Sequence, residues 1–137
     1  MSDMPDVIRN LYDAVNAQDA ERMLSLVADD FVEHEDLPIP PGDSDRHRVA
    51  QMFTSLFAAF PDLTMTVEDT VVEGEKAACR FRMTGTHQGS FMGIPATGRS
   101  VDMPGIDMFR IADGLVAEHW GVMDNMAMMQ QLGIAPA

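Results

Sequence analysis

Asp107 and His119 are the two residues on which chemistry could rest. One is a carboxylate able to take a proton, the other an imidazole able to donate or accept one near neutral pH, and both lie in the single stretch SVDMPGIDMFRIADGLVAEHWGVMD, residues 100–124. Whether they can act together depends on a turn. Asp113-Gly114 separates two apolar-rich runs, 100–111 and 115–124, which is a strong hairpin signal. If Ala112, Asp113 and Gly114 form a three-residue loop with Gly114 left-handed as a G1 bulge, Ile111 pairs with Leu115 and residue numbers across the ladder sum to 226. Asp107 then stands directly opposite His119. A two-residue loop raises the sum to 227 and puts Asp107 opposite Trp120, so one residue of slip separates the pair. The bulged register is the expectation. It gives the pair a face shared with Gly105, Phe109, Ala117, Gly121 and Met123, whose small members leave room for a ligand.

The chemistry such a pair suits is proton transfer next to a carbonyl. Removing a proton α to a carbonyl takes a base whose pKa lies near the working pH and a donor for the developing enolate oxygen. Burial would raise Asp107 toward that range, and His119 would donate to the oxyanion, so these two are the expected catalytic residues, with Asp107 the main proton-transfer group. His34, Phe53, Phe91, Phe109, Gly121 and Met123 are the expected binding residues. His87 in GTHQG and Asp124 at a strand end are secondary candidates, the former explained equally well by capping a turn. Trp120 is expected to pack on the other face of the sheet.

The elements that must hold these groups follow from periodicity. A helix over residues 5–17 carries Ile8, Leu11, Tyr12 and Val15 on one stripe. A second spans 20–27 behind the N-cap Asp19, and a short strand over 31–35 carries His34. DLPIPPGDSD, residues 36–45, reads as a surface loop of the kind that rims a pocket. A third helix, 46–60, has Asp43, Ser44 or Asp45 as its cap and Val49, Met52, Phe53, Leu56 and Phe57 as its apolar stripe, and Pro61 stops it. The period then changes to two: strands 63–72 and 77–88 flank a turn at 73–76, and GSFMGIPATG, 89–98, connects them to the Asp-Gly hairpin. A short helix over 125–132 ends at Gly133. Helices first and antiparallel strands afterwards predict a single α+β domain over residues 1–137, with helices on one face of a curved sheet.

Composition removes several function classes. A single cysteine, Cys79, excludes an intrachain disulfide and a multi-cysteine zinc cluster, and its alternation with Ala77, Phe81 and Met83 predicts burial. A net charge of −13 disfavours nucleic acid and anionic membranes. No apolar run reaches membrane-spanning length and MSDMPD has neither a basic nor an apolar leader segment, which predicts a cytoplasmic protein. The thirteen methionines suit irregular apolar cavities or plain core filling. His34, Glu35 and Asp36 with His47 do not make a metal site, because adjacent strand residues point to opposite faces. No phosphate loop and no Gly-x-Ser-x-Gly elbow occurs.

The order of elements, with FPDL at 60–63, GTHQGSFMGIPATGR at 85–99 and DMFRIADGLVAEHWGVMD followed by QQLG between 107 and 133, resembles the SnoaL-like polyketide cyclase branch of the NTF2-like superfamily. The resemblance implies a conical α+β barrel, in which a bent antiparallel sheet wraps N-terminal helices around an internal cavity, often as a homodimer through the outer sheet face. It also implies ring closure by intramolecular aldol condensation without metal or cofactor. Alignment to the cyclases places a histidine at Asp107 and an aspartate at Gly121, so neither of those groups is kept and the Asp107–His119 pair would rebuild the acid–base function. The resulting expectation is a cofactor-independent cyclase, lyase or isomerase acting on an apolar, carbonyl-bearing small molecule such as a polyketide. A binding protein with the same cavity, or a hydrolase of the epoxide-hydrolase type, are the alternatives. Ile106, Met108, Trp120 and Val122 would form the apolar face of a homodimer.

Overall fold

The computed structural model describes residues 3–39, 42 and 44–135. Helices α1 (Asp6–Asn16) and α2 (Ala20–Ser25) lead into strand β1 (Val27–Glu33), followed by α3 (Asp45–Ala59), strands β2 (Thr64–Glu73), β3 (Lys76–Thr86), β4 (Ser100–Ala112) and β5 (Leu115–Met123), and helix α4 (Asn125–Gln131). The local signals that start the helices act as expected. Asp19 Oδ1 accepts from the Arg22 amide at 3.0 Å, and Ser44 Oγ from the His47 amide at 3.1 Å. Of the three cap candidates for α3, Ser44 is thus the one used, while Asp43 lies outside the described residues.

The five strands form one curved sheet in the order β1-β5-β4-β3-β2. β2 to β5 pair antiparallel as expected, whereas β1 runs parallel to β5 along the sheet edge. A parallel partner is available there because α3 and three strands intervene in the chain, enough for the crossover that parallel pairing needs. The helices cover the concave face. Ile8, Tyr12, Val15, Met23, Leu56 and Phe60 pack with Met65, Cys79, Phe81, Met83, Met103, Phe109 and Val116 in one buried cluster. Cys79 is fully buried, as its alternation predicts.

The β4–β5 hairpin differs from the expected register in a way that preserves its consequence. Asp113 and Gly114 have φ of 52° and 75°, and Ala112 pairs with Leu115, so the loop has two residues and the left-handed backbone of a type I′ turn. The three-residue loop does not form. Asp-Gly tolerates positive φ at both positions, and that turn matches the twist of the flanking strands better. Continued unchanged, this register would set Asp107 opposite Trp120. A β-bulge prevents it: Ile111 pairs with Val116, but Arg110 pairs with Glu118, leaving Ala117 as the extra residue. Val116 and Ala117 are accordingly buried in succession. Beyond the bulge Asp107 faces Gly121 and Phe109 faces His119. Asp107 and His119 are therefore diagonal neighbours on the concave face rather than directly opposed.

Gly105 is required by the same face. A Cβ there would sit against the ring of Phe81, 2.9 Å from both Cε atoms, so the buried ring would have to shift to admit it. Gly105→Ala is expected to destabilise the fold by about 1–3 kcal/mol, the usual cost of overpacking a core. Urea unfolding should show a lower midpoint with an unchanged slope; a midpoint equal to that of the parent would show that the core is softer at Phe81 than the structure has it.

Candidate active site

Four elements converge on one hydrogen-bonded chain. β1 and β5 pair so that Glu33 lies beside His119, and β4 brings Asp107 diagonally across from it. His119 Nδ1 is 2.6 Å from Glu33 Oε2, and its Nε2 is 2.7 Å from Asp107 Oδ1. From α1, the Tyr12 hydroxyl donates to Asp107 Oδ2 at 2.6 Å. Glu33 is itself fixed. Its backbone amide donates to Asp45 Oδ2 at 3.0 Å, and its Oε2 also accepts from the Glu35 amide at 3.2 Å.

The electrostatics follow from this geometry. Burial opposes charge on His119, but the hydrogen bonds to Asp107 and Glu33, reinforced by their negative charges, outweigh it and push the imidazole pKa up to about 10. His119 is an imidazolium at neutral pH. Burial, with the adjacent Asp107 carboxylate, holds the Tyr12 phenol far above its ordinary pKa, so it remains a donor. Glu35, one residue beyond His34, is raised chiefly by burial; His119 opposes the shift, while Glu33 and Asp107 add to it.

The chain forms part of the wall of an apolar cavity between the sheet and α1 to α3, lined by Leu11, Val15, Val49, Phe53, Leu56, Phe109, Val116 and Met123 among others. Its polar lining is Tyr12, Glu33, Glu35, Arg46, Asp107 and His119. Arg46 is the one lysine or arginine on this wall among the described residues. It donates through Nη2 to Leu24 O at 2.8 Å, and its buried Nε has no partner among the described residues. A guanidinium so placed can donate to a ligand carbonyl.

Asp107, His119, Phe53, Phe109 and Met123 thus line the cavity. Gly121 closes the same face. A Cβ on it would overlap Glu35 Oε1 and lie 2.7 Å from His119 Cε1 and 3.1 Å from Asp107 Oδ1, so the missing side chain is what makes room for the cluster. Two expected binding residues lie elsewhere. His34 is exposed on the outer face, stacked on Trp120 at 4.7 Å with 6° between the rings, and its Nε2 meets Glu118 Oε2 at 2.7 Å. The strand alternation that carries Glu33 and Glu35 inward carries His34 outward. Phe91 is buried edge-on against Phe60, with 5.9 Å between the ring centroids, and supports the connection between β3 and β4 without lining the cavity. His87 has the loop-fastening role: its Nδ1 accepts from the Thr97 amide at 3.2 Å, and its ring stacks on Phe60. Asp124 caps α4 through the Ala127 amide at 3.0 Å. Glu33, Glu35, Tyr12 and Arg46 were not expected at the site. The alternation of Glu33 and Glu35 about His34 was the available signal for the first two.

One set of potential metal ligands exists among the described residues, and it differs from the one weighed in the sequence. Glu35, Asp107 and His119 offer ligand atoms within 4.8 Å of one another. Both His119 nitrogens are already hydrogen-bonded, so an ion would have to displace the bond to Asp107.

Comparison with known proteins places this geometry in context. The family described as SnoaL-like polyketide cyclase matches residues 6–132. The aklanonic acid methyl ester cyclase DauD of Streptomyces sp. (strain C5) is 26% identical over 134 residues, covering 97% of this chain and 83% of the relative. Among solved structures, wild-type IdmH of Streptomyces antibioticus, a candidate polyketide cyclase, is 41% identical with a TM-score of 0.80, covering 93% of this chain and 96% of that one. AclR of Streptomyces galilaeus, a candidate hydroxylase, is 29% identical with a TM-score of 0.85, covering 96% and 82%.

The raised pKa of His119 sets a sign for stability against pH. Because the folded state holds its proton more tightly than the unfolded state, whose imidazole titrates near ~6.5, the stabilisation is complete below that pH. It is lost as pH rises toward about 10. The melting temperature should therefore fall from neutral pH to pH ~10, with a shallower slope in His119→Gln. Equal slopes in the two proteins would show that His119 does not hold an extra proton in the folded state.

Proposed function

Because the chain belongs to the SnoaL-like polyketide cyclase family, we propose that it is an acid/base enzyme of the cyclase type, needing no metal or cofactor. Its substrate is an apolar, carbonyl-bearing small molecule such as a polyketide, and the reaction is an aldol-type ring closure or a lyase or isomerase variant of the same proton transfers. The observation that carries this reading is the Glu33–His119–Asp107–Tyr12 chain set into an apolar wall. An aldol closure needs an α-proton removed, an enolate stabilised and an alkoxide protonated. The His119 imidazolium supplies fixed positive charge at the cavity wall, where a substrate oxygen becomes negative. Asp107 and Glu33 orient the ring and keep it charged, and a carboxylate of the cluster takes the proton. Arg46 provides a donor for a substrate carbonyl, and the apolar lining takes the carbon skeleton.

The description of DauD as an ester cyclase supports ring closure. AclR is a reminder that one fold hosts several chemistries. Hydrolysis of the epoxide-hydrolase type draws no support from the cavity, since Arg46 donates to a backbone carbonyl rather than bridging two carboxylates. The proposal extends to assembly and location. Ile106 and Val122 are 54% and 74% exposed on the outer face, an apolar surface that a second copy of the chain would cover, giving a homodimer. No helix among the described residues is long and apolar enough to cross a membrane, and a cytoplasmic location belongs to the same proposal.

Two measurements test it. In an α-proton exchange assay on a simple ketone in D2O, His119→Ala should lose about 10²-fold or more of the rate with the fold intact by circular dichroism. A parent protein that binds aromatic ketones but exchanges no protons is a binding protein. Light scattering should give a dimer for the parent chain and a monomer for the double variant Ile106→Glu, Val122→Glu; a parent monomer at micromolar concentration removes the dimer.

A further inference from the structure

We propose that Glu35, and not Asp107, is the group that takes the substrate's α-proton. The inference rests on the acid/base reading and identifies its base. The three carboxylates of the cluster differ in how far hydrogen bonds already hold them. Asp107 has both oxygens engaged, Oδ1 with His119 and Oδ2 with Tyr12. Glu33 also lines the cavity, but its side chain is only 4% exposed and its Oε2 is shared between His119 and the Glu35 amide. Glu35 lines the cavity, and its carboxylate accepts no hydrogen bond from the described residues. Among the described residues it is the carboxylate of the three that no hydrogen bond holds in place.

Its position is equally particular. Glu35 Oε1 occupies the space over Gly121 that any side chain at that position would fill, beside His119 Cε1 and Asp107 Oδ1. It reaches this space from the extended segment just past β1, where burial alternates so that Glu33, Glu35 and Leu37 turn toward the cavity while His34 and Asp36 turn to solvent. The groups that face it are Glu33 from β1, Asp107 from β4 and His119 from β5, with Tyr12 of α1 and Arg46 of α3 on the same cavity wall. Burial raises its carboxyl above the ordinary range, which brings its basicity toward the working pH, where general-base catalysis is most effective.

The step balances without a co-reactant. Glu35 carboxylate removes the α-proton and becomes the carboxylic acid, and the C–H electron pair moves into the enolate, whose oxygen faces the His119 charge. The enolate carbon then forms the new C–C bond to a second carbonyl of the same molecule. The resulting alkoxide takes the proton back from Glu35, which returns to carboxylate.

The test compares Glu35→Gln, Asp107→Asn and His119→Ala with the parent in exchange of the methyl protons of acetophenone in D2O, followed by proton NMR across pH. A carbon-detected NMR titration of the Glu35 carboxyl is run in parallel. Glu35→Gln should lower exchange by about 10²–10⁴-fold and abolish the low-pH limb of the profile. Asp107→Asn should keep that limb at reduced rate, and Glu35→Asp should recover part of the activity. The Glu35 carboxyl should titrate above the ordinary range in the parent and shift in His119→Ala. If Glu35→Gln exchanges like the parent while His119→Ala is inactive, or if Asp107→Asn alone removes the limb, Glu35 is not the base although the acid/base reading stands. A Glu35 carboxyl that titrates in the ordinary range counts against it in the same way. If the parent itself exchanges no protons, both readings fall.

Discussion

Everything in this site depends on burying a charged imidazole between two carboxylates. His119 pays for its loss of water only because Glu33 and Asp107 each meet one of its nitrogens at hydrogen-bond distance. Each partner comes from a different strand, and Asp107 is in turn held by Tyr12 from a helix. Removing one member of such a set leaves an uncompensated buried charge, which typically costs about 3–5 kcal/mol. The interaction therefore couples the position of the edge strand β1, the β4–β5 hairpin and α1 to a single proton.

That coupling depends on two features of the sheet near the site. The Asp113-Gly114 turn favours a register that would send His119 to the outer face, and the extra residue at Ala117 reverses it within three residues of the turn. The parallel seating of β1 on β5 supplies Glu33 at the right height beside His119. Neither feature is needed for a sheet to form. Both are needed for the imidazolium to be enclosed.

The glycines of the concave face complete the arrangement from the other side. Gly105 yields its volume to Phe81, and Gly121 yields its volume to Glu35. Where the family resemblance aligns an aspartate at Gly121, this chain has no side chain, yet a carboxylate stands in the vacated space, delivered by a neighbouring segment. The cavity thereby keeps an acid next to a hydrogen-bonded histidine while drawing the two from different positions.

The sequence alone determined the order of helices and strands and the α+β class, because caps, periodicity and turn residues act over a few neighbours, although β1 begins at Val27, inside the run read as the end of the second helix. It also put Asp107 and His119 on one face, although by a register that does not form. Two errors of one residue, a shorter loop and an unforeseen bulge, leave side-chain parity unchanged because strands repeat every second residue. The parallel partner of β1, the inward turn of Glu35 with the outward turn of His34, the burial of Phe91 away from the cavity and the contact of Tyr12 with Asp107 were decided only by the tertiary structure. Tyr12 and Asp107 lie 95 residues apart. Whether a carboxylate on one strand reaches an imidazole on another depends on how the sheet curves around the helices, and that curvature is set by the packing of the whole core rather than by any local run of residues.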